Sequence, residues 1–232
     1  MSFETASHPY QFKAIIFDLD GTLLDTLNDI AEAMNLVLRD NGFPPHPIDM
    51  YKNFIGKGLE KLIEQALPLK AVTPLPMPTY LQAFRAAYAK NWHTNTRPYP
   101  GIPDLLTHLS QQDVSMAILS NKAHEFTVQM ATALLDRWQF QQIRGAGSEF
   151  PKKPNPKAAW HIINHMNLRR EQCLLVGDSG IDMQTATAAG IFPVGVTWGF
   201  RPESELLDNG CRFLARHPLD ILKLFKFEFS PA

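Results

Sequence analysis

Four aspartates, Asp18, Asp20, Asp178 and Asp182, hold the greatest chemical potential in this chain because of where they fall. Asp18-Leu19-Asp20-Gly21-Thr22 ends the apolar run from Phe12 to Phe17, and Gly177-Asp178-Ser179-Gly180-Ile181-Asp182 ends the run from Cys173 to Val176. A third apolar run, Val114 to Leu119, stops at Ser120-Asn121-Lys122. If the three runs are parallel strands of one sheet, their carboxyl ends form a single crevice and these distant polar residues meet there. Four carboxylates cannot share a crevice in ionised form without a compensating cation. Oxygen donors with no His or Cys cluster favour a hard ion, and Mg2+, which couples to phosphate oxygens, suits them better than Zn2+. Lys153, in Lys152-Lys153-Pro154, places a positive charge just ahead of a predicted helix, and Ser120 can donate to an anionic oxygen. The set suits a phosphoryl group. Taken singly, each piece has a plainer reading. Asp-x-Asp-Gly-Thr can be a turn, Ser120-Asn121 a helix cap, Lys153 a solvated side chain, and Asp182 a first-turn acid favoured by the helix dipole.

The elements that would position these residues follow from periodicity. Short runs rich in Ile, Val and Leu alternate with longer segments of helical period, the pattern of a mostly parallel sheet flanked by helices, so the expected class is α/β with a Rossmann-like core. Strands are expected at Phe12 to Phe17, Val114 to Leu119, Gln142 to Gly145, Cys173 to Val176 and Pro193 to Thr197. Crossover helices are expected at Gly101 to Gln112, Ala123 to Leu135, Pro156 to Met166 and Ile181 to Ala189. The interval between the first two strands is far longer than a crossover needs. Its segments Asp29 to Leu38, Leu59 to Leu67 and Tyr80 to Trp92 have helical period, and the Pro-rich stretch Pro68 to Pro78 reads as a loop between two of them. The expected organisation is therefore a core of residues 1–24 and 97–232 with an inserted α-helical cap domain of residues 25–96. The hinges would be Leu24-Asp25-Thr26 and Arg97-Pro98-Tyr99-Pro100-Gly101.

Composition narrows the partners. With 45% hydrophobic and 19% charged residues, the chain has the make-up of a folded globular protein rather than a disordered one. Its 22 Lys and Arg nearly cancel 23 Asp and Glu, leaving a formal charge of −1, so no global field favours nucleic acid or an acidic membrane and any anion must be bound locally. Cys173 and Cys211 are too few for a disulfide framework. With no apolar run of signal-peptide or membrane-spanning length, the chain is expected to be cytoplasmic, as a monomer or homodimer.

The four ordered motifs, Asp18-Leu19-Asp20-Gly21-Thr22, Ser120-Asn121-Lys122, Lys153-Pro154 and Gly177-Asp178-Ser179-Gly180-Ile181-Asp182, resemble those of the haloacid dehalogenase-like superfamily, in particular its phosphoglycolate-phosphatase-like branch. The resemblance implies a phosphoric monoester hydrolase. It makes Asp18 the nucleophile, with its other oxygen on Mg2+, and Asp20 the acid/base residue, whose backbone carbonyl also resembles a metal ligand. Ser120 and Lys153 become the phosphate-holding pair, Asp178 a direct metal ligand, and Asp182 a support for the metal's shell or for Lys153. Thr22 and Asn121 are expected among the substrate-binding residues. The insertion resembles the helical caps of this branch, and Gly56-Lys57-Gly58, ahead of the helix from Leu59, is the expected specificity loop, where exposed N–H groups and Lys57 would meet an anionic part of the substrate. The run Trp198-Gly199-Phe200-Arg201-Pro202-Glu203 also resembles the branch and is expected to shape the rim of the core.

The partner implied is a small phosphorylated metabolite, with 2-phosphoglycolate first and sugar phosphates, nucleotides or pyrophosphate as rivals. A phosphomutase on the same scaffold and a non-catalytic phosphate-binding protein are the alternatives. Hydrolytic dehalogenation is disfavoured because it needs no acid at the position of Asp20.

Overall fold

A computed structural model of the chain describes residues 12–68, 75–147 and 149–225. The elements run β1 (Ala14–Phe17), β2 (Leu24–Asp25), α1 (Leu27–Asp40), α2 (Tyr51–Phe54), α3 (Leu59–Ala66), α4 (Met77–Asn91), β3 (Arg97–Pro98), α5 (Ile102–Gln111), β4 (Ser115–Ala123), α6 (His124–Leu134), β5 (Gln142–Ala146), α7 (Lys157–His165), β6 (Cys173–Gly177), α8 (Gly180–Ala189), β7 (Phe192–Val196), α9 (Glu203–Asp208) and β8 (Phe213–Ala215), with a closing 3-10 segment at Pro218–Leu224. Six strands form one sheet in the order β5-β4-β1-β6-β7-β8. Every neighbouring pair in it is parallel.

The alternation of side chains along β1 explains why the sheet is covered on both faces. Ile15 and Phe17 belong to one apolar cluster and Ala14 and Ile16 to another, all fully buried. The smaller face is closed by Ala158, Ala159, Ile162 and Ile163 of α7 with Ala186 and Ala189 of α8. The larger one runs without a break from Phe17 and Phe126 into Ile30, Met34, Tyr51, Phe84 and Tyr88, so helices α1, α2 and α4 share a core with the sheet layer.

The expected strands and crossover helices lie within a few residues of the observed ones. Five elements were not foreseen: the two-residue strands β2 and β3, the short α2, and the terminal α9 and β8. Helix α4 begins at Met77, with Pro78 in its first turn where a missing N–H costs nothing, rather than at Tyr80. Residues 69–74 of the expected Pro-rich loop, Pro74 among them, lie outside the described residues.

Both connections between the helical insertion and the sheet layer run together. Leu24 pairs with Pro98 and Asp25 with Arg97 in an antiparallel ribbon, and the Tyr99 amide extends it by donating to the Leu23 carbonyl at 3.1 Å. Just beyond it, the buried Asp29 carboxylate accepts from the Asn95 amide (3.0 Å), Asn95 Nδ2 (2.8 Å), the Thr96 amide (2.9 Å) and Thr96 Oγ1 (2.8 Å). A buried carboxylate with that many donors needs no cation beside it. Among the described residues no helix is long and apolar enough to cross a membrane.

Candidate active site

Strand β1 lies between β4 and β6, so the carboxyl ends that the sequence marks as polar stand side by side. Asp18 follows β1 directly, Asp178 follows β6, and Lys153 comes from the connection between β5 and α7. Lys153 Nζ is buried between two carboxylates, 2.9 Å from Asp18 Oδ1 and 2.6 Å from Asp182 Oδ1. Asp182 is otherwise taken up by Ser179, whose hydroxyl donates to Oδ2 at 2.6 Å and whose amide donates at 3.1 Å at the start of α8. Asp178 Oδ2 accepts the Phe200 amide at 2.7 Å. Asp18 Oδ1 accepts the Leu19 amide at 2.7 Å.

Glycine makes this density possible. A Cβ on Gly21, whose φ is +82°, would stand 2.4 Å from Asp178 Oδ2, and one on Gly177 would stand 2.2 Å from Asp182 Cγ. Any side chain at either position would displace a carboxylate.

Charge is the defining property of the cluster. Asp18, Asp178 and Asp182 can each present an oxygen within 4.8 Å of the others. Burial pushes the Asp18 carboxyl up to about 6, with Asp182 and Asp20 adding to the rise against the pull of Lys153. Burial, followed by Asp18 and Asp182, raises Asp178 well above the ordinary carboxylate range. The cluster is therefore short of positive charge, and its all-oxygen donor set fits a hard divalent cation. Of the three acids, Asp18 and Asp178 are the better placed to hold it, since Asp182 is fully engaged with Lys153 and Ser179.

Strand β4 delivers three consecutive residues to the same place. Its pairing with β5 slips between Leu119 and Ala123, and within that irregular stretch Ser120, Asn121 and Lys122 all line one cavity instead of alternating between faces. Lys122 Nζ lies 3.1 Å and 3.3 Å from the two oxygens of Asp20, and 4.6 Å from the centroid of the Tyr88 ring. Burial works against the Lys122 cation, but the Asp20 carboxylate and Tyr88 together more than offset it and hold the ammonium above its ordinary range.

The cavity, about 60 Å³, reaches from Asp18, Asp20 and Asp178 to an apolar wall of Ile30, Ile55, Leu59, Leu62, Phe84 and Phe126. At about 10–15 Å³ for each water it would hold, this is room for a molecule of few atoms. Gly56 and Gly58 reach it, whereas Lys57 does not line it and its side chain is exposed. A cation that does line the cavity beside that loop is Arg201, which donates through Nη2 to the carbonyls of Asn53 (3.2 Å) and Ile55 (2.9 Å).

Two residues expected to bind substrate have other partners. Thr22 is fully buried, its hydroxyl 3.5 Å from Asp178 Oδ1. Asn121 is spent holding loops together: Nδ2 donates to the Gly56 and Lys153 carbonyls, both at 3.0 Å, and Oδ1 accepts the Lys153 amide at 2.8 Å. The Trp198 to Glu203 run does more than border the core. Trp198 Nε1 holds the Thr22 carbonyl at 3.0 Å, Phe200 holds Asp178, and Arg201 bridges to the helical layer. Lys122 was in view as part of a motif, but its pairing with a carboxylate 102 positions earlier carries no local signal.

Comparison with known proteins agrees with this arrangement. The family described as haloacid dehalogenase-like hydrolase matches residues 15–196. A phosphoglycolate phosphatase of Nitrosospira multiformis is 33% identical over 228 residues, spanning 94% of this chain and 97% of its own. Another, from Pseudomonas putida, is 35% identical over 196 residues, 81% of this chain and 70% of that one. A crystal structure described as a predicted phosphoglycolate phosphatase from Haemophilus somnus superposes with a TM-score of 0.86 at 29% identity, covering 92% of this chain and 98% of the other.

Proposed function

The chain belongs to the haloacid dehalogenase-like hydrolase family, and on that premise we propose that it is a Mg2+-dependent phosphatase that carries the phosphoryl group of a small monoester transiently on Asp18. The observation that carries this reading is the placement of Asp18 against Lys153 and close to the acids Asp178 and Asp182, at the floor of a cavity that Asp20 also lines. When bound, Mg2+ supplies positive charge that neutralises the transferring phosphoryl group.

Asp18 attacks phosphorus while the ester P–O bond breaks, and the departing alkoxide takes a proton from Asp20. A water then gives its proton to Asp20 and attacks the same phosphorus, releasing inorganic phosphate and restoring the Asp18 carboxylate. Lys153 and Ser120 hold the phosphoryl oxygens throughout. The Ser120 hydroxyl accepts the Lys122 amide at 3.3 Å, which leaves its proton free to donate. The helices between β2 and β3, residues 25–96, act as a cap whose apolar wall excludes bulk water during both displacements.

The substrate favoured is 2-phosphoglycolate, for two reasons. The cavity suits a leaving group of few atoms better than a nucleoside, and Arg201 sets a cation on its wall for a carboxylate to meet. Relatives that span nearly the whole chain are phosphoglycolate phosphatases by name. A panel of phosphate monoesters assayed with Mg2+ tests the reading. Release of phosphate from 2-phosphoglycolate ahead of sugar phosphates, nucleotides and pyrophosphate is expected, with loss of release in EDTA and in Asp18→Asn. Undiminished release by Asp18→Asn, or release that survives EDTA, would rule the mechanism out.

A further inference from the structure

The three acids on the floor of the site are each fixed from more than one direction. Asp18 is held by Lys153 and the Leu19 amide, Asp178 by the Phe200 amide and Thr22, and Asp182 by Lys153 and Ser179. Asp20 differs. Among the described residues, Lys122 Nζ donates the hydrogen bonds made to its carboxylate, one to each oxygen, and both side chains are nearly buried at 7% and 10% exposure. A carboxylate gripped at both oxygens by one ammonium has its plane and its reach set by that ammonium.

Lys122 is itself set from two sides. The slip in β4 turns it towards the crevice. From above, α4 lowers Tyr88 over it, with Tyr88 Oη donating to Met130 Sδ at 3.7 Å and the ring edge-on to Phe126 at 5.0 Å. Tyr88 belongs to the helical insertion, while Met130 and Phe126 belong to α6 on the sheet layer. The Lys122 ammonium is therefore shielded from water by a residue that arrives with the helical layer.

We infer that Lys122 is the positioning residue for Asp20, aiming its carboxyl at the leaving oxygen, and that Tyr88 completes this arrangement when the helical layer covers the site. The inference rests on the acid/base reading of Asp20 given above. A residue that aims the general acid matters in proportion to how much the leaving group needs a proton. An alkoxide needs it; acetate, departing from acetyl phosphate, does not. Acetyl phosphate also resembles 2-phosphoglycolate in size, so the two probe the same cavity.

The experiment compares kcat/KM, which reports the steps through departure of the leaving group, for the best alkyl ester of the panel and for acetyl phosphate. Lys122→Met, Lys122→Arg, Tyr88→Leu and Asp20→Asn are each measured on both. Lys122→Met should lose on the order of 100-fold on the alkyl ester, mostly in kcat, and much less on acetyl phosphate. Lys122→Arg should regain part of the alkyl activity, and Tyr88→Leu should show a smaller loss of the same selectivity. Tyr88→Leu also carries the test if Lys122→Met does not fold. Equal losses on both substrates, no loss, or a loss confined to the KM of esters with anionic leaving groups would overturn the inference; the last would make Lys122 a reader of substrate charge. Asp20→Asn keeps the two claims apart. If it is alkyl-selective and the Lys122 variants are not, this inference fails alone; if it shows no selectivity, the acid/base reading fails and takes the inference with it.

Discussion

At the scale of single residues, the site stores electrostatic cost. Folding moves the Asp18 carboxyl from an ordinary value of 3.8 to about 6, chiefly by burial, so the folded, metal-free protein holds that proton more tightly than the unfolded chain does. The sign follows from linkage. The stabilisation is fully present below about pH 4 and is lost as pH rises through about 6, a swing of about 3 kcal/mol. Asp178 is shifted in the same direction. In metal-free protein Asp18→Asn, which cannot ionise, should therefore raise the melting temperature at pH 7.5 and change it little at pH 4. The same variant should lose most of the stabilisation that Mg2+ confers on the unaltered protein at pH 7.5. A lower melting temperature for Asp18→Asn without metal at pH 7.5 would mean that Lys153 already compensates the Asp18 carboxylate. The carboxylates themselves were legible in the sequence because each breaks an apolar run at its end. Their couplings were not: Thr22 serves Asp178, and Asn121 ties the Gly56 and Lys153 loops together, through contacts that only the folded chain creates.

At the scale of elements, position in the sheet follows from hydrophobic period, and the joints do not. Strands such as Cys173–Gly177 are long apolar runs and announce themselves, whereas β2 and β3 have two residues each and no period to read. They are strands only because Leu24 meets Pro98 and Asp25 meets Arg97. The same ribbon is braced by Asp29, which reads in sequence as an ordinary acid in a helix's first turn but whose donors lie 66 and 67 positions away. Asp29→Ala would leave the Asn95 and Thr96 groups buried without an acceptor, and should destabilise the protein by about 2–4 kcal/mol in urea titration. Asp29→Asn, which keeps an acceptor, should cost less. A change below about 0.5 kcal/mol for Asp29→Ala would show that water satisfies those donors and that the ribbon needs no brace.

At the scale of the whole molecule, two layers meet over one crevice. The sheet layer supplies Asp18, Asp20, Ser120, Lys153 and Asp178, and the helical insertion supplies all of the apolar wall named above except Phe126. Several contacts cross between them: Asn121 to Gly56, Arg201 to Asn53 and Ile55, Lys152 to Glu60 at 2.6 Å, and Arg85 to Glu125. Exposed ion pairs such as Lys152 with Glu60 are weak, so these contacts can hold the layers together while still letting substrate in. The proposed chemistry turns on a phosphoryl group carried by one carboxylate. Asp20→Asn supplied with Mg2+ and acetyl phosphate offers the most direct view of it, because the leaving acetate needs no acid whereas the attacking water lacks its base. Rapid acid quenching followed by peptide mass mapping should find a phosphoryl group, labile to hydroxylamine, on the peptide that contains Asp18, and none when Asp18→Asn is added to the same chain. Phosphate release with no such adduct, or an adduct on another residue, would contradict the account.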